Sequence, residues 1–368
     1  MADGPVCAFL SGGLDSAVVT RLMARRSSAP LKTFSLGFAE TDYSELTAAE
    51  ETARHYGTDH HSVTLSGQEA ADELPRYVDS LDQPVGDGFN TYLISRIARQ
   101  GGVTAALSGL GGDEIFGGYP SFRDTPRIAK ILPVWHLVPR SIRELVCRRL
   151  DRGDSGRRKL AGMLRHAGDI HEVADRQRQV FSDEARQMLM ETPHSPRHHN
   201  ALPELREALR GASPAAIVSA WEIRTYMADV LLRDSDVFSM RASLELRVPF
   251  VDRPLIEWLW RQPSHLRIRS SFSKAALYES VEDILPPSLR DRPKRGFTLP
   301  FPLWMRRELR PFIEDTLSSA SLARQSLLDP VTVASQWATF RDGTDDKQWS
   351  RVWNLVILIA FLNRTRIT

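Results

Sequence analysis

Ser11-Gly12-Gly13-Leu14-Asp15-Ser16 sets two hydroxyls, two glycines and a carboxylate within six residues. Between a strand and a helix, such a run suits an anion. Glycines let the backbone come close, while free N–H groups and the helix N-terminus receive phosphate oxygens. Ser11 and Ser16 add hydroxyl donors. The carboxylate of Asp15 would repel a bare phosphate, so its presence implies a bridging Mg²⁺. No Gly-Lys-Ser/Thr follows, which separates this loop from the Walker pattern. A second glycine-rich run, Ser108-Gly109-Leu110-Gly111-Gly112-Asp113-Glu114-Ile115-Phe116-Gly117-Gly118-Tyr119, carries two more carboxylates. If both loops leave strand ends at one sheet edge, Asp113 completes a Mg²⁺ site with Asp15. One glycine-rich run is weak evidence for a site; two together are strong.

The elements needed to position these loops are legible upstream and between them. Val6–Leu10, Lys32–Leu36, His61–Leu65 and Val103–Leu107 read as short apolar strands. Helical signals run over Ser16–Arg26, Ser44–Tyr56, Gln68–Leu81 and Thr91–Arg99. Alternation of this kind predicts an α/β fold with a doubly wound parallel sheet, with ligands at the carboxyl edge of the strands. Residues 125–215 are Arg-rich, with scattered Pro and Gly, and read as helices joined by polar loops. From Pro214 helical periodicity returns, and Ile217, Trp221, Ala228, Leu231 and Leu232 are expected on one face. Three parts follow: a nucleotide-binding core over 1–124, a helical Arg-rich insertion over 125–215, and a helical part over 216–368 that completes the active site.

Bulk properties narrow the function classes. The net charge over 368 residues is only +2, so composition argues weakly for nucleic acid. Cys7 and Cys147 are the only cysteines, too few for a disulfide framework, and no Cys/His spacing suggests zinc. Val6–Leu10 is too short for a signal peptide, and Val352–Leu362 is about half a membrane span and reads as a buried helix. A cytoplasmic protein without a membrane role is expected.

The first loop resembles the pyrophosphate loop of the N-type ATP pyrophosphatases, and the second resembles the matching loop of the asparagine synthetases. Three further stretches are similar to that family: Ser35-Leu36-Gly37, Ser243 through Asp252, and Arg292-Pro293-Lys294-Arg295-Gly296-Phe297. The resemblance covers nearly the whole chain, with the Arg-rich middle its weakest part. It implies ATP and Mg²⁺ as the cofactors, with Phe9, Leu36, Gly37, Ser108 and Gly109 near the nucleotide and Lys294 on the phosphates. Leu110 and Gly111 would then face the acceptor. Asp87-Gly88-Phe89-Asn90-Thr91 could line the same pocket through Asp87 and Asn90, or form an Asp/Gly turn with Asn90 or Thr91 capping a helix. The expected reaction is ATP-dependent amide-bond formation: a carboxylate takes AMP from ATP, then ammonia or another amine displaces AMP.

Two departures from the family pattern matter. The full-length family carries a glutaminase domain whose nucleophilic cysteine follows the initiator Met; here Ala2 follows Met1, and Cys7 lies within the first strand. The expectation is that the glutaminase half is absent, that a separate glutaminase or a carrier protein is a candidate partner, or that the chain is a piece of a longer protein. At Leu110 the asparagine synthetases carry glutamate and β-lactam-forming relatives carry tyrosine. Leucine can neither accept nor donate a proton. Glu114 and Glu245 are the remaining candidate bases, with a salt bridge to a nearby arginine expected for Glu245. Three alternatives stay open: an intramolecular cyclase of the β-lactam-synthetase or lasso-cyclase kind, a nonenzymatic nucleotide-binding subunit, and, against the weak net charge, a tRNA-modifying enzyme.

Overall fold

The computed structural model describes residues 4–191, 202–269, 273–290, 292 and 298–365. The chain gathers into two compact units. The first comprises Met1–Asp82, Asp87–Tyr119 and Glu222–Phe301; the second comprises Gln83–Gly86, Pro120–Trp221 and Pro302–Thr368. The C-terminal part expected over 216–368 is thus divided between the units, near residue 301.

The first unit is built on five strands: β1 (Val6–Phe9), β2 (Lys32–Phe38), β3 (Asp59–Leu65), β4 (Ala105–Leu107) and β5 (Glu245–Arg247). All pairings are parallel, in the order β3-β2-β1-β4-β5. This is the expected α/β fold. Four helices connect the strands: α1 (Leu14–Ala24), α2 (Leu46–Tyr56), α3 (Gly67–Ser80) and α4 (Phe89–Gln100). The strand order reverses direction at β1, because the chain first builds outward through β2 and β3 and then returns to add β4 on the other side. In doubly wound sheets such a reversal is where ligands bind, beyond the carboxyl ends of the strands on either side, here β1 and β4. The central strands use small side chains: Cys7, Ala8 and Ala106 are fully buried, and Cys7 pairs in register with Ala106. Helices can therefore pack closely over both faces.

β5 was not legible in the sequence. It is three residues long, and Glu245 and Arg247 bracket Leu246, too short a run for alternation to show. It forms only because β4 offers an edge: Ala105 pairs with Glu245 and Leu107 with Arg247. A second difference lies in Ile223–Leu232, which winds as a π-helix. The wider turn shifts the side chains off the 3.6-residue spacing that starts at Pro214. Ile217 and Trp221 are buried as expected, but Met227 turns inward while Ala228, Leu231 and Leu232 are only half-buried.

The second unit is helical. It includes α5's successors α6 (Ser121–Leu137), α7 (Arg140–Asp151), α8 (Ser155–His166) and α9 (Ile170–Gln177), where α5 is the short Gly112–Phe116 helix of the first unit. Leu132, Met163, Ala167 and Val173 form one of its cores. Its last helix, Trp349–Thr365, buries Val352, Trp353, Val356, Ile357 and Ile359, as the apolar run predicts. Among the described residues no helix is long and apolar enough to cross a membrane.

Candidate active site

The first loop leaves β1 and enters α1, with Gly13 as the residue before the helix. Its serines hold the turn together: Ser11 Oγ and Ser16 Oγ lie 2.9 Å apart, Gly13 N–H donates to Ser11 Oγ at 3.2 Å, and Ser11 N–H donates to Ser16 Oγ at 3.1 Å. Gly12 N–H donates to Glu45 at 3.3 Å. Leu10 stays in register with β2 through a bond from its N–H to the Phe34 carbonyl.

The second loop leaves β4 beside it and enters α5. A side chain at Gly109 would lie 2.7 Å from the backbone nitrogen of Ser16, so the two loops touch backbone to backbone. A side chain at Gly112 would collide with the Asp15 carboxylate, and one at Gly118 with both Asp113 and Lys274. The glycines of the second motif are therefore shaped around three charged side chains. Lys274 Nζ donates to Asp15 Oδ2 and sits 2.6 Å from Asp113 Oδ1. The lysine side chain is 7% exposed, against 16% for Asp15 and 21% for Asp113. Burial alone would push its ammonium toward neutrality, but the two carboxylates outweigh burial and hold its pKa above the ordinary value. Lys274 also has left-handed backbone (φ +57°), an uncommon conformation for a side chain of this size, directly before the helix Ala275–Ser280.

Sequence alone does not mark Lys274. It stands in Ser273-Lys274-Ala275-Ala276, where nothing separates it from an exposed loop lysine. Only six of the 48 basic residues are lysines, but they stand at 32, 130, 159, 274, 294 and 347, so scarcity alone does not single out Lys274. Lys294 and its neighbours Pro293 and Arg295 through Phe297 lie outside the described residues. Arg292, which opens that motif, reaches the first loop: its guanidinium donates to the Gly12 carbonyl at 2.9 Å and pairs with Glu51 at 3.0 Å.

Glu114 is almost wholly buried behind Asp113, and Tyr119 donates to its Oε1 at 2.7 Å. Burial, with the Asp113 charge beside it, raises the Glu114 carboxyl to about 7, although the Tyr119 bond works the other way. The Tyr119 ring meets Tyr226 of the π-helix edge-on at 6.1 Å, and the Tyr226 hydroxyl donates to Asp87 Oδ2 at 3.1 Å. Tyr77 donates to the Asp87 carbonyl at 2.7 Å. Asp87 is therefore fixed by two tyrosines from separate elements. Neither Asn90 nor Thr91 caps α4. Gly88 precedes the helix at φ +90° with no side-chain cap, because Phe238 and Asp234 crowd the space where its side chain would stand. Asn90 instead accepts from the Thr91 N–H at 2.8 Å. Leu110 is half-buried, its N–H directed at Ser108 Oγ, 3.4 Å away. Gly111 precedes α5 with Val251 against it. Leu36 and Gly37 lie in β2, where Gly37 makes room for Leu46 and Ser44. Phe9 packs on the core of Cys7, Phe34 and Ala98. Glu245 is exposed and pairs with Arg247 at 2.8 Å, as expected.

The donor set suits Mg²⁺. Asp15 and Asp113 are hard oxygen donors that converge on a single point, the Lys274 nitrogen, and Mg²⁺ in nucleotide sites takes one or two carboxylates plus phosphate oxygens. Among the described residues no cluster of three or more His, Cys, Asp or Glu offers an all-protein metal cage.

The asparagine synthase family model matches residues 1–363. Asparagine synthetase [glutamine-hydrolyzing] 1 of Bacillus subtilis is 28% identical over 328 residues, covering 87% of this chain and 50% of its own length. Asparagine synthetase [glutamine-hydrolyzing] 3 of the same organism is 28% identical, covering 89% of this chain and 50% of its own length. Asparagine synthetase B of Escherichia coli is 32% identical over 148 residues, 36% of this chain and 26% of its own length. The chain thus spans about half the length of the Bacillus relatives it matches. With two glycine loops meeting over Asp15, Lys274 and Asp113 and a family match across nearly its full length, the chain belongs to the asparagine synthase family.

Proposed function

We propose that this chain forms amide bonds at the expense of ATP by way of an acyl-adenylate. The observation that carries the reading is the buried Asp15–Lys274–Asp113 cluster where the two loops meet. A carboxylate oxygen of the acceptor attacks the α-phosphorus, the bond to the β-phosphate breaks, and pyrophosphate leaves. The Lys274 ammonium is suited to offset charge gathering on that leaving group, and Lys294 is assigned to the same phosphates. Asp15 and Asp113 would hold Mg²⁺, which supplies further neutralisation of phosphate charge. Ser11, Gly12, Gly13, Ser16, Ser108 and Gly109 form the cradle for phosphate oxygens; Leu36, Gly37 and Phe9 are assigned to the adenosine side.

An amine then attacks the acyl carbon, losing a proton as the C–N bond forms, and AMP departs. Holding amine and adenylate together lowers the barrier by roughly 7–11 kcal/mol. Asp87, Asn90, Leu110 and Gly111 are assigned to the acceptor side. We assign Glu114 to positioning: its depth keeps it from substrate, while its bond from Tyr119 ties the second loop to that ring, which meets Tyr226 edge-on. Leu110 favours a second reading, because its position offers no acid–base group; an intramolecular cyclase would lose water from one molecule without gaining nitrogen, and product mass separates the two.

The test is ATP–pyrophosphate exchange across a panel of carboxylates, with Asp15→Ala as control. Exchange with at least one acid, lost in the variant, is expected. Full exchange in Asp15→Ala would reject Asp15 as a metal ligand, and no exchange with any acid would favour a binding subunit.

A further inference from the structure

Both backbone polar groups of Gly12 are held by charged side chains. Its N–H donates to Glu45 Oε2 at 3.3 Å, and its carbonyl accepts from Arg292 at 2.9 Å. One face of α2 anchors both contacts. Glu45, Ala48 and Glu51 follow at helical spacing; Ala48 Cβ lies 3.0 Å from where a Gly12 side chain would begin, and Glu51 pairs with Arg292 at 3.0 Å. Glu45 is the residue before α2, where a side-chain acceptor ordinarily serves the helix's own N–H groups, yet it makes no such bond. Its carboxylate turns to the phosphate loop instead.

The neighbouring donors of the turn are engaged differently. Ser11 N–H and Gly13 N–H go to the loop's own hydroxyls, at 3.1 and 3.2 Å, whereas Gly12 N–H goes to an anion. A backbone N–H that receives a carboxylate is chemically fit to receive phosphate, since both present an oxyanion. One N–H cannot serve both, and a phosphate oxygen brought to it would also face the Glu45 charge at close range. Glu45 is half-buried, so its side chain can turn to water while Ala48 keeps α2 against the loop. Its setting differs from that of Asp15 and Asp113: their oxygens converge on a cation and suit a metal, whereas the Glu45 oxygen lies on a donor.

Resting on the reading that the first loop receives the phosphates, we propose that Glu45 is a built-in competitor for that site. It occupies the Gly12 N–H, gives way to a phosphate oxygen, and returns as pyrophosphate leaves, which holds affinity down and speeds release. The test is calorimetry of Mg²⁺-pyrophosphate and of ATP on the full chain, comparing the parent with Glu45→Gln and Glu45→Ala. Glu50→Gln is the control: it removes a charge from the same helix at a residue that bonds Ser62 at 3.1 Å. Both Glu45 variants are expected to lower the pyrophosphate Kd about fivefold or more, because a charged hydrogen bond no longer has to be broken, with a change under about twofold in Glu50→Gln. The urea midpoint without pyrophosphate should stay level or fall, since a contact is lost, and far-UV circular dichroism checks that each variant folds. Tighter binding by a protein that is no more stable is what competition produces; a carboxylate that only ordered the turn would, on removal, weaken binding. Unchanged or weaker binding in either Glu45 variant, or equal tightening in Glu50→Gln, overturns the proposal. A parent chain that binds neither pyrophosphate nor ATP rejects the nucleotide reading itself, and the competition with it.

Discussion

Replacing Lys274 with methionine keeps the length of the side chain and removes the charge that separates two carboxylates. The direct attraction across 2.6 Å amounts to about 6 kcal/mol at an effective dielectric of about 20. Desolvation of an ammonium only 7% exposed offsets much of this. What the variant loses is therefore nearer the about 3–5 kcal/mol seen when one partner of a buried pair is removed. The loss should be pH-dependent in a stated direction. Facing carboxylates without a cation take up a proton more readily, so the penalty is largest near pH 8 and shrinks toward about pH 5. Lys274 itself does not contribute to this slope, because its raised pKa keeps it fully charged throughout that range. Urea denaturation of Lys274→Met at both pH values measures the effect. Adding Asp113→Asn to the variant should recover about 1 kcal/mol or more near pH 8, a non-additive result diagnostic of direct coupling. A penalty equal at both pH values, with Asp113→Asn simply adding its own cost, would refute the coupled cluster.

Three other perturbations follow from the same geometry. Gly118→Ala forces a methyl group into Asp113 and Lys274, so we expect a loss of about 1–3 kcal/mol in urea denaturation together with loss of pyrophosphate exchange. Arg292→Ala frees the Gly12 carbonyl and Glu51; we expect weaker ATP binding by calorimetry and little change in urea midpoint, since a surface-type pair contributes about 1 kcal/mol or less. Asp234 is buried with Oδ2 unbonded among the described residues, and burial with the nearby Asp87 raises its carboxyl from 3.8 to about 7 despite the Arg233 pair. A raised folded-state pKa stabilises through the protonated form, in full below 3.8, and the contribution is lost as pH rises through about 7. That span corresponds to on the order of 4 kcal/mol, with the opposing effect of Arg233 already included. Asp234→Asn should therefore raise stability near pH 8, leave it nearly unchanged near pH 4, and flatten the pH profile between them.

The parallel sheet and both glycine loops were legible because each leaves a local trace: short apolar strands, helical runs between them, and glycines clustered with hydroxyls and carboxylates. The convergence of Asp15 and Asp113 followed from placing both loops at one sheet edge. Lys274 was not legible, because its role is set by a fold that returns the chain to β1 after more than two hundred residues. The same holds for β5, which borrows its extended form from the edge of β4, and for Gly88, whose place before α4 is dictated by Phe238 and Asp234 from a distant helix. The π-helix also hides from a 3.6-residue pattern, yet it is what aims Tyr226 at Asp87.

In the proposed reaction an acid oxygen attacks the innermost phosphorus of ATP. It is tested most directly with an ¹⁸O-labelled carboxylate that supports exchange, incubated with ATP and an amine and followed by mass spectrometry of the nucleotide. One label is expected in AMP and none in pyrophosphate. Label in inorganic phosphate, with ADP as the nucleotide product, would contradict it.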